Sequence, residues 1–289
     1  MATTDATCPY EYLVGQYRKH HFAPFAQALR PSLQVEDPAT WGLVLDIMDA
    51  VHFCLILVDD IADNSRQRRN QPAAHTLFGA PETANRAYLV LTRVVNRAAR
   101  ERSHLAAEVM KALEDILKGQ DLSLVWRRDG LAAFPQEEAG RLEAYCRMAR
   151  LKTGSLFVLL GWLLNDGGDG LDDTMTRFGW YAQVQNDCKN IYSAEYALNK
   201  GVVAEDLRNG ELTYPIVQAL ILDGARGVVA KSLRSRFRED IEEALEFLET
   251  PAVKDACFKT MEEARDGVEQ LEAVWGRRER MDSRPAKSQ

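Results

Sequence analysis

Residues 51–69 read VHFCLILVDDIADNSRQRR, an apolar run that ends among three aspartates and is followed by three arginines. Apolar residues recur every three or four positions here and through most of the chain, which is the period of an α-helix. The alternating β-branched runs that are typical of strands are missing from the sequence. Together these patterns predict an all-helical protein.

Proline and glycine residues divide this pattern into about ten predicted helices. Pro135, followed by Glu137 and Glu138, is typical of a helix first turn, and we expect that helix to continue through Lys152. No composition shift marks a linker, so we predict a single domain over residues 1–289. The basic segment 277–289 is expected to be a frayed, disordered tail.

The composition excludes several classes of protein. With 289 residues and a formal net charge of −7, the chain lacks the basic balance of a general nucleic-acid or anionic-membrane binder. Its 5 cysteines are scattered without zinc-site spacing, which favours a reducing compartment, and we expect a cytoplasmic protein. The apolar runs 51–58 and 156–164 are shorter than the about 20 residues of a membrane span, so they predict buried core helices and no transmembrane segment.

The aspartates of the opening stretch are candidates for metal binding. On a helix, Asp59 and Asp63 project from one face, where a hard divalent cation can bind both carboxylates. A helix end that emerges into solvent explains these two residues equally well. Arg66, Arg68 and Arg69 favour the metal, because carboxylates, Mg²⁺ and guanidinium groups together form a site for a diphosphate.

A second polar cluster lies at residues 183–190, which read QVQNDCKN. Asn186 and Asn190 have the same four-residue spacing, but their neutral amide oxygens should hold a metal less tightly than carboxylates do. Lys152 and Lys200 add possible phosphate contacts, although a single lysine is more often a surface residue.

At this point the sequence resembles the trans-prenyltransferases of the class I isoprenoid synthase fold, most closely the geranylgeranyl diphosphate synthases of fungi and animals. The resemblance rests on separate segments that occur in the family's order: residues 9–13, 59–75, 119–126, 152–154 and 205–215. It implies a single-domain helical bundle around a central apolar cavity, a prenyl diphosphate substrate and a homodimer.

The resemblance also implies roles for individual residues. The Mg²⁺ ligands would be Asp59, Asp60 and Asp63 in the first cluster and Asn186, Asp187 and Asn190 in the second, with three ions when diphosphate is bound. The catalytic groups would be the three aspartates of the first cluster together with the cations that grip the allylic diphosphate, namely Arg68, Lys152 and Lys200. The substrate-binding residues would be Lys19, Phe22, His52, Phe53, Cys54, Leu55, Arg69 and Gln183.

Departures from the family pattern fall in the acceptor site and in the second metal cluster. Lys19, His52 and Arg69 match the residues that bind isopentenyl diphosphate, but Phe22 stands where the family has arginine. Asn186 likewise replaces the leading aspartate of the second motif. These changes are expected if ionisation of an allylic diphosphate persists while coupling to isopentenyl diphosphate does not.

The hypothesis favoured by the sequence is a Mg²⁺-dependent terpene cyclase that ionises farnesyl diphosphate and cyclises it, with the Phe22 ring facing the cation. In the family, the residues at Cys54 and Leu55 set chain length, and their intermediate size here, with Phe53 behind them, favours a C15 substrate. Simple core packing explains these three residues about equally well.

The alternative is a prenyltransferase that moves a geranylgeranyl group to an acceptor other than isopentenyl diphosphate, such as indole-3-glycerol phosphate. Lys19, His52 and Arg69 would then bind the acceptor phosphate, and the aromatic part would lie on Phe22. An ordinary farnesyl or geranylgeranyl diphosphate synthase is a third hypothesis. A regulatory subunit without activity is disfavoured by the intact first motif.

Overall fold

The computed structural model describes residues 7–17, 19–224 and 227–282, with side chains described as far as residue 276. Within these ranges the chain is almost entirely helical, and the only strands are β1 (Gln67–Arg68) and β2 (Gln71–Pro72), which pair antiparallel. The predicted all-helical fold class is therefore confirmed.

The described part of the chain has seventeen α-helices. The first seven are α1 (Pro9–Tyr17), α2 (Ala23–Leu29), α3 (Leu33–Glu36), α4 (Pro38–Asp63), α5 (Ala74–Phe78), α6 (Ala80–Glu101) and α7 (Ser103–Asp129). A 3₁₀ turn at Gly130–Ala132 precedes α8 (Glu138–Ala149), and a π-helical turn at Arg150–Gly154 precedes α9 (Ser155–Leu164). The others are α10 (Asp172–Tyr192), α11 (Ala194–Lys200), α12 (Glu205–Asn209), α13 (Tyr214–Leu222), α14 (Val228–Ser235), α15 (Arg238–Leu248), α16 (Pro251–Arg265) and α17 (Glu269–Asp282). The number exceeds the prediction because helices of only four to seven residues, such as α3 and α11, form where loops were expected.

Helix α4 contains the apolar run and the three aspartates at residues 51–63. Its N-terminus is capped by Asp37, whose carboxylate accepts a hydrogen bond from Thr40 N, and it ends at Asn64 in a left-handed conformation with φ 54°. By length and composition α4 is able to cross a membrane, but a core helix passes the same test, and 61% of its most apolar window is buried inside the protein. That burial agrees with the predicted core helix.

Contacts between Cα atoms divide the chain into two compact units. Unit 1 comprises residues 1–111, 158–175 and 267–289, and its helices α1, α4, α5 and α6 enclose a core cluster that includes Leu13, Phe53 and Leu57. Unit 2 comprises residues 112–157 and 176–266, and its larger core includes Tyr145 and Val184. The single domain and the central apolar cavity stay predictions.

The helix predicted from Pro135 begins later and has a wide turn within it. Helix α8 starts at Glu138, so Pro135 precedes the first turn instead of occupying it. The predicted continuation through Lys152 takes the form of the π-helical turn. Such turns are rare in proteins, and those that occur are often found at functional sites. A Cβ at Gly119 would lie 2.5 Å from Lys152 N, and one at Gly179 would lie 2.7 Å from Gly154 Cα. These two glycines therefore let neighbouring helices pack directly on the turn.

The predicted C-terminal tail begins inside the last helix. The backbone of α17 continues to Asp282, so residues 277–282 are helical. Residues 283–289 lie outside the described residues, and the disorder expected of them stays a prediction.

Candidate active site

The first aspartate cluster lies at the C-terminal end of α4 in unit 1. Asp59 and Asp63 are half-buried, one turn apart, whereas Asp60 is only 1% exposed. Arg68 Nε donates to Asp60 Oδ1 at 3.0 Å and to Oδ2 at 3.3 Å, and Arg68 Nη2 also donates to Oδ1. A charge-assisted, bidentate contact of this kind fixes the orientation of the guanidinium. Asp60 therefore holds Arg68 in place, which differs from the predicted role of Asp60 as a metal ligand.

Among the described residues, no three His, Cys, Asp or Glu side chains are already gathered closely enough to hold a metal ion. One physical reason why the three aspartates are not gathered is that the carboxylate of the middle one, Asp60, contacts the guanidinium of Arg68. The metal assignment of Asp59, Asp60 and Asp63 stays a prediction.

A short hairpin follows α4 and positions Arg68 and Arg69. Its strands β1 and β2 are joined by Arg69 and Asn70, which have left-handed φ values of 55° and 60°. Two positive φ values in a two-residue loop match the twist of a tight hairpin. The turn brings the guanidinium of Arg69 to 4.5 Å from the centre of the Tyr17 ring.

The predicted acceptor residues of unit 1 are partly brought together. Phe22 and His52 are in edge-to-face contact with ring centres 5.3 Å apart, and His52 meets Tyr17, the residue under Arg69, at 6.3 Å. Lys19 is 69% exposed and lies 3.7 Å from an Asp46 carboxylate oxygen. The structure thus links Phe22, His52 and Arg69 through aromatic rings and gives Lys19 an acidic partner.

The prediction for Phe22 needs a correction. Its ring was expected to be a platform for the substrate cation or the acceptor, but Phe22 is only 1% exposed and packs against His21, Phe25 and His52. Enclosing an aromatic ring removes a large apolar area from water, which stabilises this packing. Phe22 is therefore a buried residue that packs against His52.

Asp49 on α4 holds the loop that carries the acceptor residues. Its two carboxylate oxygens accept hydrogen bonds from the consecutive backbone N–H groups of His20, at 2.6 Å, and His21, at 2.9 Å. Burial raises the pKa of Asp49, and these two hydrogen bonds act in the opposite direction. The carboxylate fixes the backbone at His20, where φ is 60°.

Two of the three predicted chain-length residues are core residues. Phe53 and Cys54 are fully buried in the unit 1 cluster, and burial raises the pKa of the Cys54 thiol to about 12. Leu55 is half-buried. Core packing therefore explains Phe53 and Cys54, and the C15 preference based on them stays a prediction.

The second cluster lies on α10 in unit 2 and centres on Asp187, which is 2% exposed. Asp187 Oδ2 accepts hydrogen bonds from the Tyr145 hydroxyl and, at 2.8 Å, from Tyr214 N. Its Oδ1 accepts from Gln183 Nε2 at 2.7 Å, and Gln183 Oε1 accepts from the Thr153 hydroxyl in the π-helical turn. The carboxylate thus ties α10 to three other segments of unit 2, which differs from its predicted role as a metal ligand.

The protonation of Asp187 follows from these surroundings. Burial raises its pKa to about 6, although the hydrogen bonds from Tyr145, Tyr214 and Gln183 and the charge of Lys152 favour the carboxylate. Burial likewise raises the pKa of Tyr145 well above its ordinary value.

The two asparagines of this cluster have different environments. Asn186 is exposed, whereas Asn190 is 2% exposed and its Oδ1 is a buried atom without a hydrogen-bond partner. An amide oxygen of this kind suits a hard cation, so the residues present fit the predicted metal at this position. Two neighbouring side chains are engaged elsewhere. Cys188 is buried in the core cluster that also contains Cys257, and Lys189 Nζ donates to Gln185 Oε1 at 2.9 Å.

The predicted diphosphate lysines differ in burial. Lys152 is half-buried in the π-helical turn, and its charge acts on Asp187. Lys200 is 9% exposed, and its Nζ lies 2.8 Å from a carboxylate oxygen of Glu205. A buried lysine beside a carboxylate keeps its charge compensated. The contact of Lys200 with a diphosphate stays a prediction.

Some residues of these networks were missed by the sequence analysis. Tyr145 and Asp49 carry no spacing signal that distinguishes them from other residues of amphipathic helices. Tyr17 precedes His21 by four residues and flanks Lys19, a weak signal that could have indicated an aromatic surround for the acceptor site.

A pocket of about 330 Å³ in unit 1 is distant from this chemistry. It is lined by residues that include Arg30, Asp37, Thr40, Arg102 and Asp166. Thr40 is near the start of α4, roughly 28 Å from Asp59 at 1.5 Å of rise per residue. The pocket is therefore separate from the first aspartate cluster.

Comparisons with known proteins give the family. The model of the Polyprenyl synthetase family matches residues 9–248. Prenyltransferase terC of Tolypocladium album is 62% identical over 276 residues, which cover 96% of this chain and 82% of that protein. Prenyltransferase idtC of Claviceps paspali is 61% identical over 277 residues, which cover 96% of this chain and 76% of that protein.

A solved structure shows the same fold. The crystal structure of polyprenyl synthase from Caulobacter crescentus CB15, complexed with calcium and isoprenyl diphosphate, matches with a TM-score of 0.75 and 20% identity, over 95% of this chain and 85% of that one. Both fungal relatives are named prenyltransferases, which indicates a transferase and does not support the lyase activity of the cyclase hypothesis. The match over most of the chain establishes that this protein belongs to the polyprenyl synthetase family.

Proposed function

We propose that this protein is a Mg²⁺-dependent prenyltransferase that transfers a geranylgeranyl group from its diphosphate to an acceptor other than isopentenyl diphosphate, with indole-3-glycerol phosphate as the best candidate. The observation that carries the proposal is the acceptor cluster, in which His52 and Arg69 both contact the ring of Tyr17, while the buried Phe22, at the position where the resemblance implies an arginine, packs against His52. A cluster with one cation fewer than the resemblance implies favours an acceptor with a single phosphate over isopentenyl diphosphate. The fungal relatives named prenyltransferases support transfer over cyclisation.

The residues of the first cluster have distinct tasks in this proposal. Asp59 and Asp63 hold Mg²⁺, and Asp60 orients Arg68 to donate hydrogen bonds to the allylic diphosphate. When bound, Mg²⁺ supplies the positive charge that stabilises the leaving pyrophosphate. The allylic carbon–oxygen bond breaks, and its electron pair leaves with pyrophosphate. A π-electron pair of the acceptor ring forms the new carbon–carbon bond, and the acceptor carbon then loses its proton to the released pyrophosphate.

The second cluster supplies weaker ligands. Asn190 presents a buried amide oxygen, and Asn186 lies one turn before it at the surface. Lys152 donates to the diphosphate from the π-helical turn, whose position is fixed through Thr153, Gln183 and Asp187.

The homodimer and the cytoplasmic localisation remain predictions.

Product analysis tests the proposal. The purified protein is incubated with Mg²⁺ and either farnesyl or geranylgeranyl diphosphate, alone, with isopentenyl diphosphate or with indole-3-glycerol phosphate, and the products are separated by gas and liquid chromatography. We expect a geranylgeranylated indole only when geranylgeranyl diphosphate and the indole phosphate are both present. A volatile hydrocarbon from farnesyl diphosphate alone would instead establish a cyclase, and longer prenyl diphosphates formed only with isopentenyl diphosphate would establish an ordinary synthase.

A further inference from the structure

Tyr17, the last residue of α1, is the aromatic residue that links the acceptor groups of unit 1. Its ring centre lies 6.3 Å from that of His52, at an interplanar angle of 89°, and 5.2 Å from that of His21, at 87°. On a further side, the Arg69 guanidinium lies 4.5 Å from its centre. One side chain therefore contacts two of the residues that the proposed function assigns to the acceptor phosphate.

The contact with Tyr17 restricts where the guanidinium of Arg69 lies. The attraction between the cation and the ring holds the guanidinium near the ring, which limits the positions that its five N–H donors can reach. Arg69 also lies in the hairpin turn with φ 55°, which leaves its side chain as the adjustable part. The attraction between the cation and the ring face then selects one orientation of that side chain.

The contacts of His52 restrict its ring in the same way. His52 stacks on His21 with ring centres 5.0 Å apart and an interplanar angle of 13°, and Phe22 meets it edge-to-face at 5.3 Å. Tyr17 contacts both histidine rings. Rings on several sides leave the imidazole few rotamers. The loss of Tyr17 would remove one of these contacts from His52 and, at the same time, the ring contact of Arg69.

Tyr17 itself is anchored in the core. Its ring centre is 5.5 Å from that of Phe53, and the side chain packs against the core cluster of unit 1. Tyr10, on the same helix, packs on the same cluster and meets Phe53 at 6.2 Å. Tyr10 is therefore a matched control for the loss of an aromatic residue from this cluster.

We propose that Tyr17 is a positioning residue of the acceptor site, which holds Arg69 and His52 in the orientation that binds the phosphate of the acceptor. The inference rests on the proposed function in assigning those two residues to the acceptor. It assigns the ring of Tyr17, and not its hydroxyl, as the group that acts.

Steady-state kinetics of Tyr17→Leu, Tyr17→Phe and Tyr10→Leu test this inference, with geranylgeranyl diphosphate as donor and indole-3-glycerol phosphate or isopentenyl diphosphate as acceptor. Tyr17→Leu is expected to raise the KM for the acceptor about tenfold, with a smaller change in kcat and in the KM for the donor. Tyr17→Phe keeps the ring and is expected to restore the acceptor KM to within about twofold of the wild type.

The outcomes separate this inference from the proposed function. If the wild type uses only isopentenyl diphosphate, the proposed function fails, and the Tyr17 variants are judged on the KM for that acceptor. If neither acceptor is turned over, the affinity of the wild type and the variants for the same two compounds is measured by calorimetry, and the Tyr17 variants are judged on that affinity. The inference is overturned if neither compound binds, if Tyr17→Leu leaves acceptor KM or affinity unchanged, if Tyr17→Phe is as impaired as Tyr17→Leu, or if Tyr10→Leu has the same effect.

Discussion

The two polar clusters each contain one buried aspartate, and the two aspartates are stabilised differently. Asp60 is 1% exposed and faces the guanidinium of Arg68, whereas Asp187 is 2% exposed and accepts hydrogen bonds from a phenol, a backbone N–H and an amide. A buried carboxylate with a cationic partner orients that cation, while one with neutral donors ties together the segments that carry them. Aspartates of similar burial thus orient an arginine in one unit and join packed helices in the other.

The comparison also changes which residues we expect to hold metal. In the first cluster the half-buried Asp59 and Asp63 flank the aspartate that is engaged with Arg68. In the second, Asn190 presents a buried oxygen without a hydrogen-bond partner, while Asp187 is enclosed. The first cluster therefore offers charged ligands and the second offers neutral ones.

The largest effect is expected from the charged ligands. Replacing Asp59 by alanine removes a carboxylate that we propose binds Mg²⁺ and is expected to lower kcat/KM on the order of 10³-fold or more, measured as pyrophosphate release. The exposed Asp169, replaced by alanine, is the control for a change in net charge. Turnover of Asp59→Ala at the wild-type rate would contradict the metal assignment.

The contrast between the two buried aspartates is tested by the stability of Asp60→Asn. This change removes the buried carboxylate charge that the Arg68 guanidinium contacts and is expected to lower the free energy of unfolding by about 3 kcal/mol, measured in urea. The control Glu114→Gln removes a carboxylate from the exposed pair with Lys118, where a loss of about 0.5 kcal/mol or less is expected. Equal losses in the two variants would show that the Asp60–Arg68 pair behaves as a surface pair.

The second cluster is expected to make stability depend on pH. The pKa of Asp187 is raised from 3.8 to about 6 in the folded protein, so the folded state holds a proton that the unfolded chain has already released between these values. The stabilisation is fully present below pH 3.8 and is lost as the pH rises through about 6, with a total on the order of 3 kcal/mol. Unfolding free energies of the wild type and Asp187→Asn, measured from pH 3.5 to 8, give this contribution as the change in their difference, of which about 1.4 kcal/mol falls between pH 5 and 8.

Asp187→Asn is a suitable reference because the network can adapt to it. If the Gln183 amide turns over, its oxygen accepts from the new amide and its nitrogen donates to the Thr153 hydroxyl. At pH 8 we therefore expect the variant to be as stable as the wild type or more stable, since a buried charge has been removed. A difference between the two proteins that does not change from pH 5 to 8 would contradict the raised pKa.

The smallest effect is expected from the exposed Asn186. Asn186→Asp restores a carboxylate to the second cluster and should lower the Mg²⁺ concentration for half-maximal activity about fivefold, because ligand charge sets affinity for hard cations. Asn96→Asp on the exposed face of α6 adds the same charge elsewhere in the chain. If both variants shift the Mg²⁺ dependence equally, the effect comes from net charge and the second cluster is not a metal site.

The sequence predicted the helical fold class well, because apolar residues that recur every three or four positions indicate an α-helix directly. It placed α4 and its aspartates correctly, since the helix ends one residue before Asn64, which adopts a left-handed conformation. It did not predict the short helices or the π-helical turn at Lys152. The turn is closely approached by Gly119 and Gly179 of other helices. No local pattern contains that information.

For the candidate site, the sequence found the residue types and the structure assigned their partners. Phe22 was identified as a departure from the family, but its burial behind His52 follows from packing between α2 and α4. Asp60 and Asp187 carried the same prediction as metal ligands, and only their neighbours distinguish them.

By itself, the sequence determined that this chain is helical and that carboxylates and arginines are concentrated at the end of one apolar helix. These are properties of composition and spacing, which act along the chain. The resemblance to a known family added that Phe22 stands where an arginine is expected. The tertiary structure decided that Asp60 orients Arg68, that Asp187 joins Tyr145, Gln183 and Tyr214, and that Tyr17 lies under Arg69. Each of these depends on which side chains meet across different segments, because burial and hydrogen-bond partners are set by packing that is not local in sequence.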